Sequence, residues 1–217
     1  MSRSALIVWG GWPGHKPREG AEKVSALLAQ EGIETTLSDD LASFDDGERL
    51  ARYDLICAQW ALGSLTSEQE VNIREAVRAG TGLGAWHGSA DSFRSSTVYQ
   101  YVLGSQFVAE PGGFTPYRVE VDVPEDPIVA GVDGFDFTSE LYYLHVDPAV
   151  RVLASTTIDG ALVPWAAGAK IPVVYTKSFG AGRVFYCSLG HDPADLDHPA
   201  VAQFVRRGFA WAARTGA

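Results

Sequence analysis

The chain has 217 residues, of which 46% are hydrophobic, so it is long enough to bury one sizeable core. Its 17 basic and 27 acidic residues give a formal net charge of −10, which excludes the basic surface that nucleic acids require. The first apolar run stops at a glycine pair, too soon for a signal peptide or a membrane span, so we expect one cytoplasmic domain over residues 1–217 with no membrane partner.

The first half of the chain predicts alternating strands and helices. Short apolar runs bounded by turn residues predict strands over residues 4–9, 33–37, 53–58 and 83–86. Apolar residues at helical spacing predict helices over residues 17–31, 68–79 and about 90–103. This alternation is typical of right-handed βαβ units, so we expect an α/β fold with a mostly parallel sheet and a ligand site at its carboxyl edge.

The second half changes character at about residue 107. From 107 to 154 the chain mixes glycine, proline and acidic residues with short strand-like runs, which predicts a β-rich insertion within the domain. The runs 171–175 and 183–188 predict a β-hairpin with a glycine-assisted turn. A last helix over 199–214 would dock its apolar face on the sheet, and its composition permits a homodimer without requiring one.

Three histidines follow predicted strands: His15 the first, His87 the fourth, and His191 the late strand that ends in YCSLG. Because the carboxyl ends of parallel strands meet at one edge of a sheet, the three imidazoles are expected to converge. His87 is the strongest candidate for chemistry, since its strand-to-turn position points outward and the next helix would offer its N-terminal N–H groups to negative charge. Hydrogen bonding to backbone is an equal alternative for His15 and His191 taken singly.

A carboxylate and several aromatic side chains are candidates for the same edge. Strand alternation in TSELYYLH places Glu140 and Tyr142 on one face and His145 on the other, which favours Glu140 for the site. Trp12 and Trp60 lie near predicted strand ends, where an indole either packs in the core or forms a stacking wall for sugar rings.

Four segments in series resemble the ThuA-like (trehalose utilisation) proteins: VWGGWPGHKP, GTGLGAWHGSAD, SELYYLHVDPAVRVLAST and PVVYTKSFGAGRVFYCSLGHD. The resemblance covers nearly the whole chain and implies the class I glutamine amidotransferase-like fold, a flavodoxin-like three-layer sandwich. In amidotransferases the turn after the fourth strand, the elbow, carries a cysteine, and a His-x-Glu follows a late strand. Here the elbow carries His87, Cys57 and Cys187 lie elsewhere, and Pro193 replaces the glutamate. Glutamine hydrolysis by a thiolate is therefore excluded.

The resemblance also implies a role in sugar catabolism, with a small carbohydrate as partner and a keto-disaccharide or related glycoside as substrate. A ketone at C3 acidifies the C2 proton, so a base can remove it, an acid or metal can hold the enediolate, and the glycosidic oxygen can leave. For this chemistry we expect His87, His191 and Glu140 to be catalytic.

The remaining candidates are expected to bind the substrate: His15 at the entrance, with Trp12, Trp60 and Tyr142. A divalent metal held by His87, His191 and Glu140 is left open, because no HxH or HExxH spacing supports one. The alternative function is a non-catalytic sugar-binding or regulatory module. Several titratable groups at one edge favour the enzyme, since a pure binding site needs fewer of them.

Overall fold

The computed structural model describes residues 3–215. The strands are β1 (Arg3–Gly11), β2 (Ile33–Ser38), β3 (Leu55–Ala61), β4 (Gly82–Trp86), β5 (Ser105–Ala109), β6 (Phe114–Val121), β7 (Phe135–Glu140), β8 (Tyr143–Val146), β9 (Arg151–Thr157), β10 (Lys170–Phe179) and β11 (Gly182–Cys187). The α-helices are α1 (Pro17–Ala29), α2 (Gly47–Leu50), α3 (Ser67–Arg78), α4 (Thr97–Leu103) and α5 (Pro199–Ala212).

Nine strands form one mixed sheet in the order β2-β1-β3-β4-β11-β10-β9-β6-β7. The first five of that order are parallel to one another, whereas each later strand runs antiparallel to its neighbour. The α/β class is confirmed, but the expectation of a mostly parallel sheet holds only for one half. The reason lies in the connections, since a tight turn such as that at Gly180 can join only antiparallel strands.

The segment from 107 to 154 is rich in strands, and two of them extend the main sheet. β6 and β7 continue the main sheet through the pairing of β6 with β9, in which Glu120 lies opposite Ser155. β5 and β8 pair separately as a two-stranded sheet. The second half of the chain therefore widens the sheet.

The prediction of a helix over residues 90–103 is wrong for the first half of that range. The chain leaves β4 through a single 3-10 turn, His87–Ala90, and α4 begins only at Thr97. Phe93 has a φ of 50°, a left-handed conformation that an α-helix cannot contain, and Ser96 caps α4 by accepting the N–H of Tyr99. Consequently the helix N-terminus expected beside His87 is absent from that position.

Helices cover both faces of the sheet, which gives three layers. On one face α1 and α5 bury residues such as Leu28 and Phe204, and on the other α3 and α4 bury Val77 and Val102. Burying such side chains contributes about 25 cal/mol per Å² of apolar surface and holds the strand ends in fixed positions. Among residues 3–215, no helix is both long and apolar enough to span a lipid bilayer.

Candidate functional site

Three histidines and a glutamate meet at the carboxyl ends of the parallel strands. His15 follows β1, His87 follows β4 and His191 follows β11, while Glu140 is the last residue of β7. One nitrogen or oxygen atom from each side chain lies within 4.8 Å of the other three. His15 belongs to this cluster, with its ring centroid 5.0 Å from that of His87 and 4.8 Å from that of His191, and it also lines the cleft in front of the cluster.

His87 stands at the elbow with its ring in a fixed orientation. Its φ of 39° is a costly left-handed conformation for a residue with a side chain. The ring Nδ1 lies 2.9 Å from the carbonyl oxygen of Ser188. Because a carbonyl only accepts, Nδ1 carries a proton, and Nε2 of the same ring faces Glu140. The ring of Tyr142 packs against the imidazole at 4.2 Å between centroids.

Glu140 lies between two imidazoles. Its Oε2 is 2.8 Å from His191 Nδ1 and 3.4 Å from His87 Nε2. Neither nitrogen completes a well-aligned hydrogen bond within residues 3–215, so the contacts are close but largely electrostatic. Burial alone would raise the pKa of Glu140, but the contacts with His191 and His87 outweigh it and lower the pKa to about 2. Within residues 3–215 the cluster therefore contains an ionised carboxylate and two buried imidazole nitrogens that lack a well-aligned hydrogen bond.

Asp195 links the two elements that supply Glu140 and His191. Its Oδ2 accepts the backbone N–H of His191 at 2.8 Å and the hydroxyl of Ser139 at 2.9 Å. One carboxylate therefore fixes the loop after β11 against the end of β7, which explains how a residue of the antiparallel half reaches the edge of the parallel half.

His15 is neutral at ordinary pH. Burial lowers its pKa to about 3, helped by the neighbouring His87 and His191 and opposed by Glu140. The ring has space because residue 88 is glycine: a Cβ on Gly88 would lie 2.8 Å from His15 Nδ1.

The four side chains suit a divalent cation of the zinc type. Zinc takes imidazole nitrogens and carboxylate oxygens in tetrahedral geometry, and these ligands must be unprotonated, as Glu140 and His15 are. The bond from His87 Nδ1 to Ser188 is the outer contact that commonly orients a metal-bound imidazole. Ligand atoms around bound zinc are about 3.3 Å apart, so the widest separation of 4.8 Å would have to close by about 1.5 Å.

The cluster separates an inner cavity from an outer cleft. The inner cavity measures about 20 Å³, enough for one water molecule, and Trp60 lines it while packing under Gly10. The outer cleft measures about 210 Å³, and Trp12 and Tyr142 line it. Of the aromatic side chains expected to bind substrate, the structure thus places these two beside the cleft and Trp60 on the inner side.

The family model ThuA, described as trehalose utilisation, matches residues 4–212. The chain belongs to the ThuA family. No functionally curated protein matches the sequence. A protein from Parabacteroides merdae ATCC 43184 described as ThuA-like has a similar structure, with a TM-score of 0.81 and 17% identity, covering 100% of this chain and 93% of its own.

Two further solved structures support the fold of this ThuA-family chain. A Bacteroides uniformis ATCC 8492 protein described as ThuA-like has a TM-score of 0.77 and 19% identity, covering 97% of this chain and 91% of its own. A cytoplasmic protein from Salmonella typhimurium LT2 has a TM-score of 0.72 and 16% identity, covering 98% of this chain and 100% of its own. At such identities the likeness shows the fold alone.

In this ThuA-family chain no cysteine lies at the elbow. Cys57 and Cys187 are free thiols in the core, and burial raises the pKa of Cys187 to about 12 and that of Cys57 even further. Such thiols are protonated and out of contact with solvent, so neither is a nucleophile.

Sequence reasoning missed three charged residues of the cleft: Asp91, Arg94 and Glu110. The available signal was Asp91 at the end of the elbow motif GLGAWHGSAD. The structure adds a second signal, since the four non-glycine residues with positive φ in the described chain lie in the site or in the segments next to it. His87 lines the inner cavity and Leu62 the outer cleft, Lys16 follows His15, and Phe93 lies in the segment between His87 and α4. Strain of this kind is retained where a site requires it.

Proposed function

We propose that this chain is an enzyme of sugar catabolism that acts on a keto-disaccharide or a related glycoside by metal-assisted acid–base chemistry. The observation that carries the proposal is the convergence of His15, His87, His191 and Glu140, with ligand atoms within 4.8 Å of one another. Two of their buried nitrogens lack a well-aligned hydrogen bond within residues 3–215. The description of the family as trehalose utilisation supports a sugar as substrate.

The pKa values favour particular roles for the four side chains. Glu140 and His15 are weak bases, because their pKa values are lowered to about 2 and about 3, and they are better suited to hold a cation than to remove a proton. When bound, such an ion supplies Lewis-acid polarisation of a substrate oxygen. Polarising a substrate oxygen needs an open position on the ion, so His15, Glu140 and one of the pair His87 and His191 would hold it. The other histidine of that pair is the candidate to accept or return a proton.

The reaction we propose is an elimination. A base takes the C2 proton beside the C3 ketone, and the electrons of the C–H bond form an enediolate. The enediolate then expels the glycosidic oxygen from C1, and that oxygen takes up a proton as the second sugar leaves. The mechanism needs a base and a source of positive charge within one cleft, which is what an imidazole and a cation-binding cluster supply.

We also infer that the parallel half is flavodoxin-like. The order β2-β1-β3-β4-β11 supports this inference, since it matches the 2-1-3-4-5 order of that fold when β11 is counted fifth. In such folds ligands bind outside the carboxyl ends of the strands, where the cluster lies.

The test begins with the purified protein. Its metal content is measured by elemental analysis, and it is then incubated with 3-keto-trehalose and other keto-glucosides with and without added Zn²⁺, Ni²⁺ or Mn²⁺. We expect about one bound divalent ion per chain and release of free sugar. His87→Ala is expected to abolish release, whereas His145→Ala, a matched change at an exposed histidine of β8, is expected to leave it intact.

Two outcomes would refute the proposal. Sugar affinity without conversion under any metal condition would indicate the binding module. Full conversion by His87→Ala would remove the elbow from the reaction.

A further inference from the structure

We propose that the outer cleft is a subsite for one neutral, unphosphorylated pyranose ring, held by the indole of Trp12 and the ion pair of Asp91 with Arg94. The proposal rests on the proposed function only for the reaction that the bound sugar then undergoes at the cluster. The binding of the ring itself is independent of turnover and can be measured separately.

Trp12 provides an exposed aromatic surface at the edge of the cleft. It is 44% exposed although it is a large apolar side chain. Its indole contacts the His15 ring edge to face, with centroids 4.8 Å apart, and lies so close to Gly14 that a Cβ there would be 2.3 Å from it. The indole is therefore held in place while much of its surface stays open, as in a platform for the C–H face of a sugar.

The ion pair supplies hydrogen-bonding groups that the fold leaves unused. Asp91 is only 6% exposed, and Arg94 Nε donates to its Oδ1. Within residues 3–215 no hydrogen bond reaches Asp91 Oδ2 or leaves the two terminal nitrogens of Arg94. The guanidinium is also supported by the ring of Phe107, 4.9 Å from its centroid.

The Asp91–Arg94 pair can form hydrogen bonds with two adjacent sugar hydroxyls. A carboxylate oxygen accepts from one hydroxyl while the guanidinium donates to its neighbour, so two vicinal hydroxyls satisfy both groups at once. Burial raises the pKa of Asp91, and the contact with Arg94 opposes that effect. Burying the charged carboxylate at this position is therefore unfavourable in itself.

The charge and size of the cleft define the class of ligand. Apart from Glu140, the cleft carries the carboxylates of Asp91 and Glu110 against the single guanidinium of Arg94, and that guanidinium is already paired. Beside the Asp91–Arg94 pair a phosphate or uronate group would meet the carboxylates of Asp91 and Glu110 and be repelled, whereas a neutral polyol would not. The volume of about 210 Å³ is below the roughly 300 Å³ of sites for drug-sized ligands, and it suits a single ring.

Equilibrium binding tests the proposal without any chemistry. Isothermal titration calorimetry is performed with trehalose, methyl α-glucoside and trehalose 6-phosphate on wild-type protein. We expect the neutral sugars to bind and the phosphate to bind at least about tenfold more weakly. Trp12→Ala and Asp91→Asn are each expected to weaken neutral-sugar binding about tenfold, and Trp12→Phe to weaken it less.

The matched control is Trp165→Ala. Trp165 is 87% exposed and does not line the cleft, so its removal is expected to leave sugar affinity unchanged. Circular dichroism confirms that each variant is folded; if Asp91→Asn does not fold, the exposed Trp12 still provides the test.

The outcomes separate the subsite from the proposed reaction. If the cleft variants weaken sugar binding but no keto-sugar is converted, the subsite stands and the reaction fails. If keto-sugars are converted with an unchanged KM in Trp12→Ala and Asp91→Asn, the reaction stands and the subsite is overturned. Equal or tighter binding of the phosphate overturns the substrate class, and the absence of neutral-sugar binding by the wild-type protein overturns the subsite.

Discussion

A single methyl group at Gly88 is expected to weaken metal binding without unfolding the protein. The Cβ of Gly88→Ala would lie 2.8 Å from His15 Nδ1 and 3.0 Å from its Cε1, whereas ordinary contacts begin at 3.4 Å. The ring must therefore move by the difference between 3.4 and 2.8 Å, about 0.6 Å. The next neighbour, the Cβ of Ala61, is at an ordinary 3.5 Å, so the imidazole alone has to yield.

That displacement adds to the closure of about 1.5 Å that the cluster needs to hold zinc. Ligand distances in established sites stay within about 0.2 Å of their usual values, so a methyl group that obstructs the His15 ring should weaken its bond to the ion. Disturbing the orientation of one imidazole typically costs about 10-fold to 100-fold in metal affinity, which is about 1.4 to 2.7 kcal/mol. We expect Gly88→Ala to show a loss in this range.

The assay is a competition titration of Zn²⁺ between the protein and a chromophoric chelator, with thermal unfolding of the metal-free protein measured in parallel. Gly47→Ala is the matched control, since its Cβ would also lie 2.8 Å from the end of a side chain, Asn72 Oδ1, but away from the cluster. Unchanged zinc affinity in Gly88→Ala would refute His15 as a ligand. An equal loss in both variants would point to general destabilisation.

Three further predictions concern pH, packing and the thiols. Without metal, the free energy of unfolding should fall as the pH drops from 6.5 to about 3, because the unfolded chain binds a proton at His15 that the folded chain does not bind. Urea titrations should show a shallower fall in His15→Gln, and equal slopes in the two proteins would contradict this. Lys177→Met should lower the free energy of unfolding, measured in urea, by about 1 to 3 kcal/mol, because Asp147 loses the buried lysine that pairs with it. Zinc affinity should stay unchanged, and unaltered stability would count against that ion pair. A thiol reagent should modify neither Cys57 nor Cys187 in the native protein, and rapid modification at neutral pH would show that the burial assigned to them is wrong.

The position of three histidines could be predicted because it follows from topology alone. His15, His87 and His191 each lie within four residues after the end of a strand of the parallel half, and parallel strands end at one edge whatever their side chains. The depth of His15 within the cluster could not be predicted. It depends on the absent Cβ of Gly88 and on the left-handed Lys16, which are properties of close packing that periodicity does not record.

Glu140 shows a different limit of sequence reasoning. Strand alternation selected it over His145, and the structure places it in the cluster while His145 stays exposed on β8. However, Glu140 belongs to β7, at the far end of the antiparallel half, and the expected mostly parallel sheet offered no route for it. The route depends on a long-range contact, in which Asp195 ties the end of β7 to the backbone of His191.

The absence of a helix N-terminus beside His87 favours a bound cation in the site. The sequence predicted a helix N-terminus beside His87, which would have stabilised negative charge on the substrate, but α4 begins only at Thr97. The nearby Lys16 and Arg94 are each paired with an aspartate, and His15 is neutral because of its lowered pKa. An enediolate formed here would need positive charge that these groups do not supply, and a cation held by the cluster would supply it. Turnover by a protein stripped of all divalent ions would therefore contradict the mechanism, even if every cluster residue proved essential.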